Sequence, residues 1–481
     1  MFTYSFESKE TKSLYLQLYA FIKADILGGR LQAGARLPSK RAAAKNLGVS
    51  VITVENAYAA LQSEGYVYSL PKKGYYVSEI AALFPAAAKP LPAVQEAPRE
   101  TDPAYRYSFA ANGIIPENFP FSIWARLMRE TLNTARAEVS AAPPSGGLTI
   151  LKEAICAHVK QFRGMEVTPA QVIIGAGTEY LYSLIIQLLG GEKTYAVPNP
   201  GYAKLARIYE SVGVKCAYVS EDAQGMDIAS LAHSGAHIAH VSPAHHFPSG
   251  TVMSISRRHE LLNWAAQSEE RYIIEDDYDS EFRLSGRPLP ALQSLDSAGK
   301  VIYVNTFTKS LSPTIRISYM VLPRALTGRF YERLGFYSST VSSFEQYTLA
   351  QFIRRGYFEK HINRMRNYYR KIRNCLLKAI QSSALAALAR VSEEEAGLHF
   401  LLHLRTDAAD ADLKQQAALA GTEIRFLSEY YRHTSPAIPA HILVVNYSTL
   451  RMEDIPAAVK ALEKVICESN SNLAELNSVQ G

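Results

Sequence analysis

The first 80 residues alternate short apolar periods with sharp breaks. Tyr15, Leu18, Tyr19, Ile22, Ile26 and Leu27 recur at helical spacing and Gly28-Gly29 stops the run, so a first helix with one apolar stripe is predicted. In LPSKRAAAKNLGVS, Ser39 is placed to cap a short second helix that Gly48 ends. Ser50 then caps a third, VITVENAYAALQSEG, closed by Gly65. Two helices across a tight glycine turn predict a helix-turn-helix. YVYSL and YYVSE, joined by Pro-Lys-Lys-Gly, predict a hairpin wing. Beyond residue 104 the pattern changes. VIIGAG, TYAVPN, AHIAHVSP, YIIEDDYDSEF and VIYVNTFTKSLSP are apolar runs that end in polar or glycine-rich residues and alternate with helical stretches. This is the layout of an α/β domain with a mostly parallel sheet and ligand groups at its strand ends.

Residues 81–104 separate the two patterns. Prolines at 85, 90, 92, 98 and 103 interrupt any helix there, so the segment is expected to be a linker between a domain at 1–80 and one at 105–481. Hydrophobic residues make up 48% and charged residues 20% of the 481, proportions of a folded globular chain. The four cysteines, Cys156, Cys216, Cys375 and Cys467, form no CxxC pair, so neither a metal site nor a disulfide framework is expected. No apolar run approaches the roughly 18 residues of a membrane span, and MFTYSFESKE does not resemble a secretory leader. A cytoplasmic protein with no membrane partner is expected.

The formal charge of +6 says little as an average, but its distribution says more. Between Arg30 and Lys73 stand seven cations (Arg30, Arg36, Lys40, Arg41, Lys45, Lys72, Lys73) against two acids (Glu55, Glu64), a local excess of five. They coincide with the turn, the helix starts and the wing, which suits the phosphate backbone of double-stranded DNA.

In the larger block, Lys309 directly follows an apolar strand, where a partly desolvated amine can form a Schiff base with an aldehyde. Asp276 ends another strand and could hold a pyridine nitrogen protonated, with Tyr278 two residues along on the same face. Ala176, Gly177 and Thr178 open a helix whose N-terminus favours a phosphate, and Arg316, with Thr306 or Thr308, could add to that site. Tyr202 could stack on a ring.

These motifs carry two resemblances. LYLQLYAFIKADILGGRLQAGARLPSKRAAAKNLGVSVITVENAYAALQSEGYVYSLPKKGYYV resembles the winged helix-turn-helix of GntR-type bacterial regulators. That resemblance implies that Arg36, Ser39, Lys40 and Arg41 approach phosphates, that Ser50, Thr53 and Asn56 face the major groove, and that Lys72 and Lys73 tip the wing. Many relatives carry Arg directly after the serine that starts the recognition helix; here the residue is Val51. The order of phosphate loop, PGY, HHFPSG, EDDYD, TFTKS and Arg316 resembles the fold-type I, class I aminotransferases. Joined to the GntR-like head, the chain resembles the MocR/GabR subfamily of regulators.

The resemblance implies pyridoxal 5'-phosphate bound to Lys309, with Asp276 on the pyridine nitrogen and Tyr278 near the phenolic oxygen. It also implies a head-to-tail homodimer. Where aminotransferases place Asn beside the cofactor this chain has Phe247, leaving His245 or His246 as substitutes. The arginine that grips a substrate carboxylate falls near Val444, leaving Arg425 and Arg432 as candidates to bind an effector. A tyrosine that relatives place before the helix beginning in GGLTILKEAI reads Leu148. The expectation is a DNA-binding transcriptional regulator whose aminotransferase-like domain senses pyridoxal phosphate, or an amino acid or amine effector, without physiological turnover. The alternative is an active aminotransferase carrying a DNA-binding appendage.

Overall fold

The computed structural model describes residues 4, 6, 13–79, 105–284, 289–395, 397–432 and 438–479. The chain divides into two compact units, Met1–Asp102 and Pro103–Gly481. The linker expected at 81–104 lies outside the described residues.

In the smaller unit, helices span Leu14–Leu27, Lys40–Leu47 and Val51–Ser63, and a hairpin pairs Val67–Leu70 with Gly74–Val77. Both predicted caps form: the Ala42 amide donates to Ser39 Oγ at 3.2 Å and the Thr53 amide to Ser50 Oγ at 3.0 Å. Gly48, at φ +66°, turns the chain between the last two helices in a conformation that side chains resist. Leu18, Ile22 and Ile26 of the first helix pack with Val54, Tyr58 and Leu61 of the third and with Val67 and Val77 of the hairpin. Each such buried side chain contributes on the order of 1.5–3 kcal/mol. Leu27, read as part of the apolar stripe, is exposed because the helix ends there.

The larger unit is built on an eight-stranded sheet. In spatial order its strands are Val172–Ala176, Ile317–Val321, Val301–Thr306, Tyr272–Asp277, Ile238–Val241, Thr194–Asn199, Lys215–Asp222 and Gly225–Met226. The five strands read from the sequence run parallel; Ile317–Val321 is inserted antiparallel between two of them, and Gly225–Met226 is an antiparallel edge. Val301–Thr306 is buried at every position, as a strand covered on both faces must be. Its side chains alternate accordingly: Ile302 and Val304 enter one core layer, Tyr303 the other. A second, three-stranded antiparallel sheet, Ala389–Ser392, His399–Leu404 and Ile442–Asn446, follows the 25-residue helix Tyr357–Gln381. The parallel strands carry their C-terminal ends to one edge of the large sheet, where Asp276, Thr306 and Ser242 sit side by side in a common cavity wall.

Candidate functional site

That cavity, of about 270 Å³, is lined by Lys309, Asp276, Tyr278, Tyr202, Thr178, Thr306, Thr308 and Arg316, and by Asn112, Tyr182, His240 and Phe247. Eight of the eleven cofactor residues expected from the sequence therefore meet in one place. Strand alternation explains how Asp276 comes to face it. Along YIIEDDY, Glu275 and Asp277 turn to the opposite side of the sheet, where both are buried against Arg163, whose Nε lies 2.9 Å from Asp277 Oδ2.

Asp276 is held by one oxygen only. Tyr182 donates its hydroxyl to Oδ2 at 2.8 Å, and His240 Nε2 stands 3.5 Å from the same atom. The ring is fixed in turn by Tyr209, 2.6 Å from His240 Nδ1. Asp276 Oδ1 is buried and has no hydrogen-bond partner among the described residues. A buried carboxylate oxygen left in this state costs free energy unless a donor occupies the cavity. The protonated nitrogen of a pyridine ring would be such a donor.

Lys309 sits in the short helix Phe307–Ser310, immediately after the buried strand. Burial lowers its ammonium pKa to about 8, with the carboxylate of Asp279 acting in the opposite direction. Its Nζ contacts Asn112 Oδ1 and lies 3.2 Å from the Asn112 carbonyl. Burial, reinforced by Asp279, holds the Tyr278 phenol far above its ordinary pKa, so it acts as a neutral donor; its oxygen is 3.2 Å from His245 Nδ1.

At the other end of the cavity, Gly177 (φ +89°) precedes the helix Thr178–Leu189, and any side chain at Gly177 would collide with the Arg316 guanidinium. Thr306 Oγ1 accepts the Thr308 amide at 3.1 Å and the Ser318 hydroxyl at 2.8 Å, leaving Thr306 and Thr308 hydroxyls clustered beside Arg316. Helix dipole, guanidinium and hydroxyls are groups of the kind that bind an anion. Arg316 faces Glu179 at 3.7 Å, and Lys204 also binds that carboxylate.

Five expected positions differ in detail. The Ala176 amide donates to Thr340 Oγ1 at 2.9 Å and the Gly177 amide to the Gly175 carbonyl at 3.0 Å, so of the loop trio Thr178 is the one that lines the cavity. His245 is buried behind Tyr278, bonded to Asp279 Oδ2 at 2.8 Å, and positions the phenol without lining the cavity. Arg425 pairs with Glu429 at 3.8 Å, and Arg432 with Glu210 at 3.4 Å while stacking on Tyr218; both lie outside the cavity lining. Near Val444 the surroundings are apolar: Leu401, Leu427 and Val444 pack with Phe247 and Tyr430.

His240, Tyr182 and Asn112 were missed by sequence reasoning. A histidine inside the otherwise apolar run AHIAHV was the available signal for the first, and Tyr182 stands one helical turn after Thr178. Asn112 is 197 residues from Lys309 and gave none.

In the smaller unit Arg36, Arg41, Lys72, Lys73 and Asn56 are exposed, and Lys72 takes a positive φ at the wing tip. Ser39 and Ser50 spend their oxygens on helix caps, and Thr53 Oγ1 bonds Ser50 Oγ at 2.8 Å. Lys40 is paired with Glu55 at 2.5 Å, which diverts it from a purely phosphate-facing role.

Comparison with known proteins agrees with both units. Residues 14–77 match the bacterial regulatory proteins of the gntR family, and residues 117–462 match aminotransferase class I and II. The HTH-type transcriptional regulator YdeL of Bacillus subtilis is 36% identical over 94% of this chain and 96% of its own. The probable rhizopine catabolism regulatory protein MocR of Rhizobium meliloti is 32% identical over 88% of each. Among solved structures, kynurenine aminotransferase of Pyrococcus horikoshii matches with a TM-score of 0.67 at 22% identity, covering 77% of this chain and 92% of that one, a likeness of fold.

Proposed function

We propose, because the chain belongs to the MocR/GabR subfamily of GntR-type transcriptional regulators, that its large unit holds pyridoxal 5'-phosphate as the sensing element of a DNA-binding homodimer. The observation that carries this reading is the unpartnered Asp276 Oδ1 in the same cavity wall as Lys309, whose ammonium has been weakened by burial. Bound there, pyridoxal phosphate supplies an electron-poor aldehyde carbon open to attack by amines.

The chain's own residues do the rest. Lys309 supplies a primary amine with an appreciable neutral fraction near pH 7. Tyr182 and His240 hold Asp276 so that its free oxygen accepts a proton-bearing nitrogen. Thr178, Thr306, Thr308 and Arg316 would hold the phosphate, Tyr278 would donate to the phenolic oxygen, and half-exposed Tyr202 would pack on the ring. Val444 itself is apolar and packs with Leu401, Leu427 and Phe247, so the position where aminotransferases place a carboxylate-binding arginine carries no cation, which favours recognition of an amine or amino acid as an effector over repeated transamination. An effector that binds one dimer conformation better than another shifts DNA affinity by that difference. Two heads then meet two half-sites of an operator.

The reading is tested by reconstituting the full chain with pyridoxal phosphate, reducing with borohydride and mapping the fixed adduct by mass spectrometry. The expected result is one pyridoxyl group on Lys309, absent in Lys309→Ala and diminished in Asp276→Asn. An adduct spread over surface lysines, or none, overturns it. Stoichiometric keto-acid release over many turnovers with an amino acid would replace the sensor with an enzyme.

A further inference from the structure

The recognition helix Val51–Ser63 divides sharply into two faces. Val54, Ala57, Tyr58 and Leu61 are buried in the unit's core, while Ile52, Glu55, Asn56 and Ala59 form an exposed stripe at i, i+3, i+4 and i+7. The tip of that stripe is apolar. Ile52 is 69% exposed and the adjacent Val51 43%. The polar groups around them are already engaged: Ser50 Oγ accepts the Thr53 amide and bonds the Thr53 hydroxyl, and Glu55 is held by Lys40. Two β-branched hydrocarbon side chains therefore stand at a helix start in a unit that also exposes the cations Arg36, Arg41, Lys45, Lys72 and Lys73.

Such a surface is complementary to a polyanion that also offers an apolar contact. In the major groove of duplex DNA the base-pair edges carry one hydrocarbon group, the C5 methyl of thymine. Asn56, one turn beyond Ile52 on the same face, carries an exposed amide of the kind that pairs bidentately with adenine.

We propose that Val51 and Ile52 make the tip of this helix a reader of thymine methyl groups, with Asn56 reading a nearby adenine, so that each operator half-site is A·T-rich where the helix enters the groove. The proposal rests on the DNA-binding role of the small unit and adds the base chemistry it selects. Ordinary helix-tip polarity would have been cheaper for a face meant to remain in water, since an isoleucine there gains nothing in the free protein.

The test uses the full-length protein and duplexes enriched from a random library, with affinity measured by fluorescence anisotropy. Each thymine of the enriched half-site is then replaced by uracil, which removes the methyl and nothing else. One or two positions per half-site are expected to weaken by about fourfold each, the worth of one buried methyl-sized group. In Ile52→Ala the uracil penalty at its matched position is expected to fall below about twofold, while the penalty at the Val51 position persists. Because Ile52 lies outside the core, unchanged circular dichroism is the control for folding. Enriched sites with G·C pairs at these positions, or uracil penalties equal in wild type, Ile52→Ala and Val51→Ala, overturn the proposal while leaving DNA binding intact. Failure to enrich any duplex overturns the DNA-binding role and this inference together.

Discussion

Replacing Asn112 by Asp tests whether the Lys309 amine is poised by burial. With a pKa of about 8, roughly one amine in eleven is neutral at pH 7, against about 0.03% for an ordinary lysine near 10.5, a difference of about 300-fold. The neutral amine is the nucleophile. The rate at which cofactor-free protein takes up pyridoxal phosphate should therefore rise tenfold per pH unit up to about pH 8 and then level off. Asn112 Oδ1 contacts Lys309 Nζ, so Asn112→Asp places a carboxylate against the ammonium. An opposite charge at this range raises a lysine pKa by about 1–3 units. The direction is unambiguous, since stabilising the charged form reduces the neutral fraction. Uptake at pH 7 should slow between about tenfold and a thousandfold and recover as the pH passes the new pKa. Stopped-flow absorbance across pH 6–11 reads both profiles. A wild-type rate still climbing through pH 10, or a variant whose plateau does not move, would refute the reasoning.

Other perturbations probe separate parts of the molecule. Arg163→Met leaves Asp277 and Glu275 buried without their cation and should cost about 3–5 kcal/mol. Burial already raises Glu275 to about 7, so the deficit should shrink as pH falls toward 6 and Glu275 takes up a proton; calorimetry at two pH values checks both statements. Arg316→Ala should weaken pyridoxal phosphate by about tenfold, a half-exposed charged contact, while leaving the affinity for unphosphorylated pyridoxal unchanged. Equal losses for both vitamers would remove Arg316 from the phosphate site. Lys72→Ala and Lys73→Ala should each lower the slope of log affinity against log salt by about one. An unaltered slope would mean that the wing does not touch phosphate.

Much of the architecture was legible because period and punctuation agree. Ser39, Gly48 and Ser50 mark helix boundaries by chemistry that needs no tertiary partner, and five of the six parallel strands are apolar runs too continuous for a half-exposed sheet. The antiparallel strand Ile317–Val321 was not read, because its hydrophobic pattern is the same in either direction and only its place between two other strands decides orientation. Lys309, Asp276 and Tyr278 could be placed from strand ends and alternation. Asn112 could not, since a loop residue brought to the amine from the start of the domain carries no local pattern. His245 misled for a related reason: sequence position puts it in the right loop, but its bond to Asp279 turns it into support for Tyr278. Arg425 and Arg432 were suggested by charge and proximity along the chain, and their pairing with Glu429 and Glu210 is a tertiary fact.

The claim on which the account depends is that the state of the Lys309 pocket controls the grip of the heads on DNA. It is tested most directly by measuring the affinity of the full-length protein for its selected operator, with and without pyridoxal phosphate, in wild type and in Lys309→Ala. The account predicts an operator affinity that changes with the cofactor in wild type and stays constant in the variant. Identical responses in both proteins, or no response in either, would contradict it.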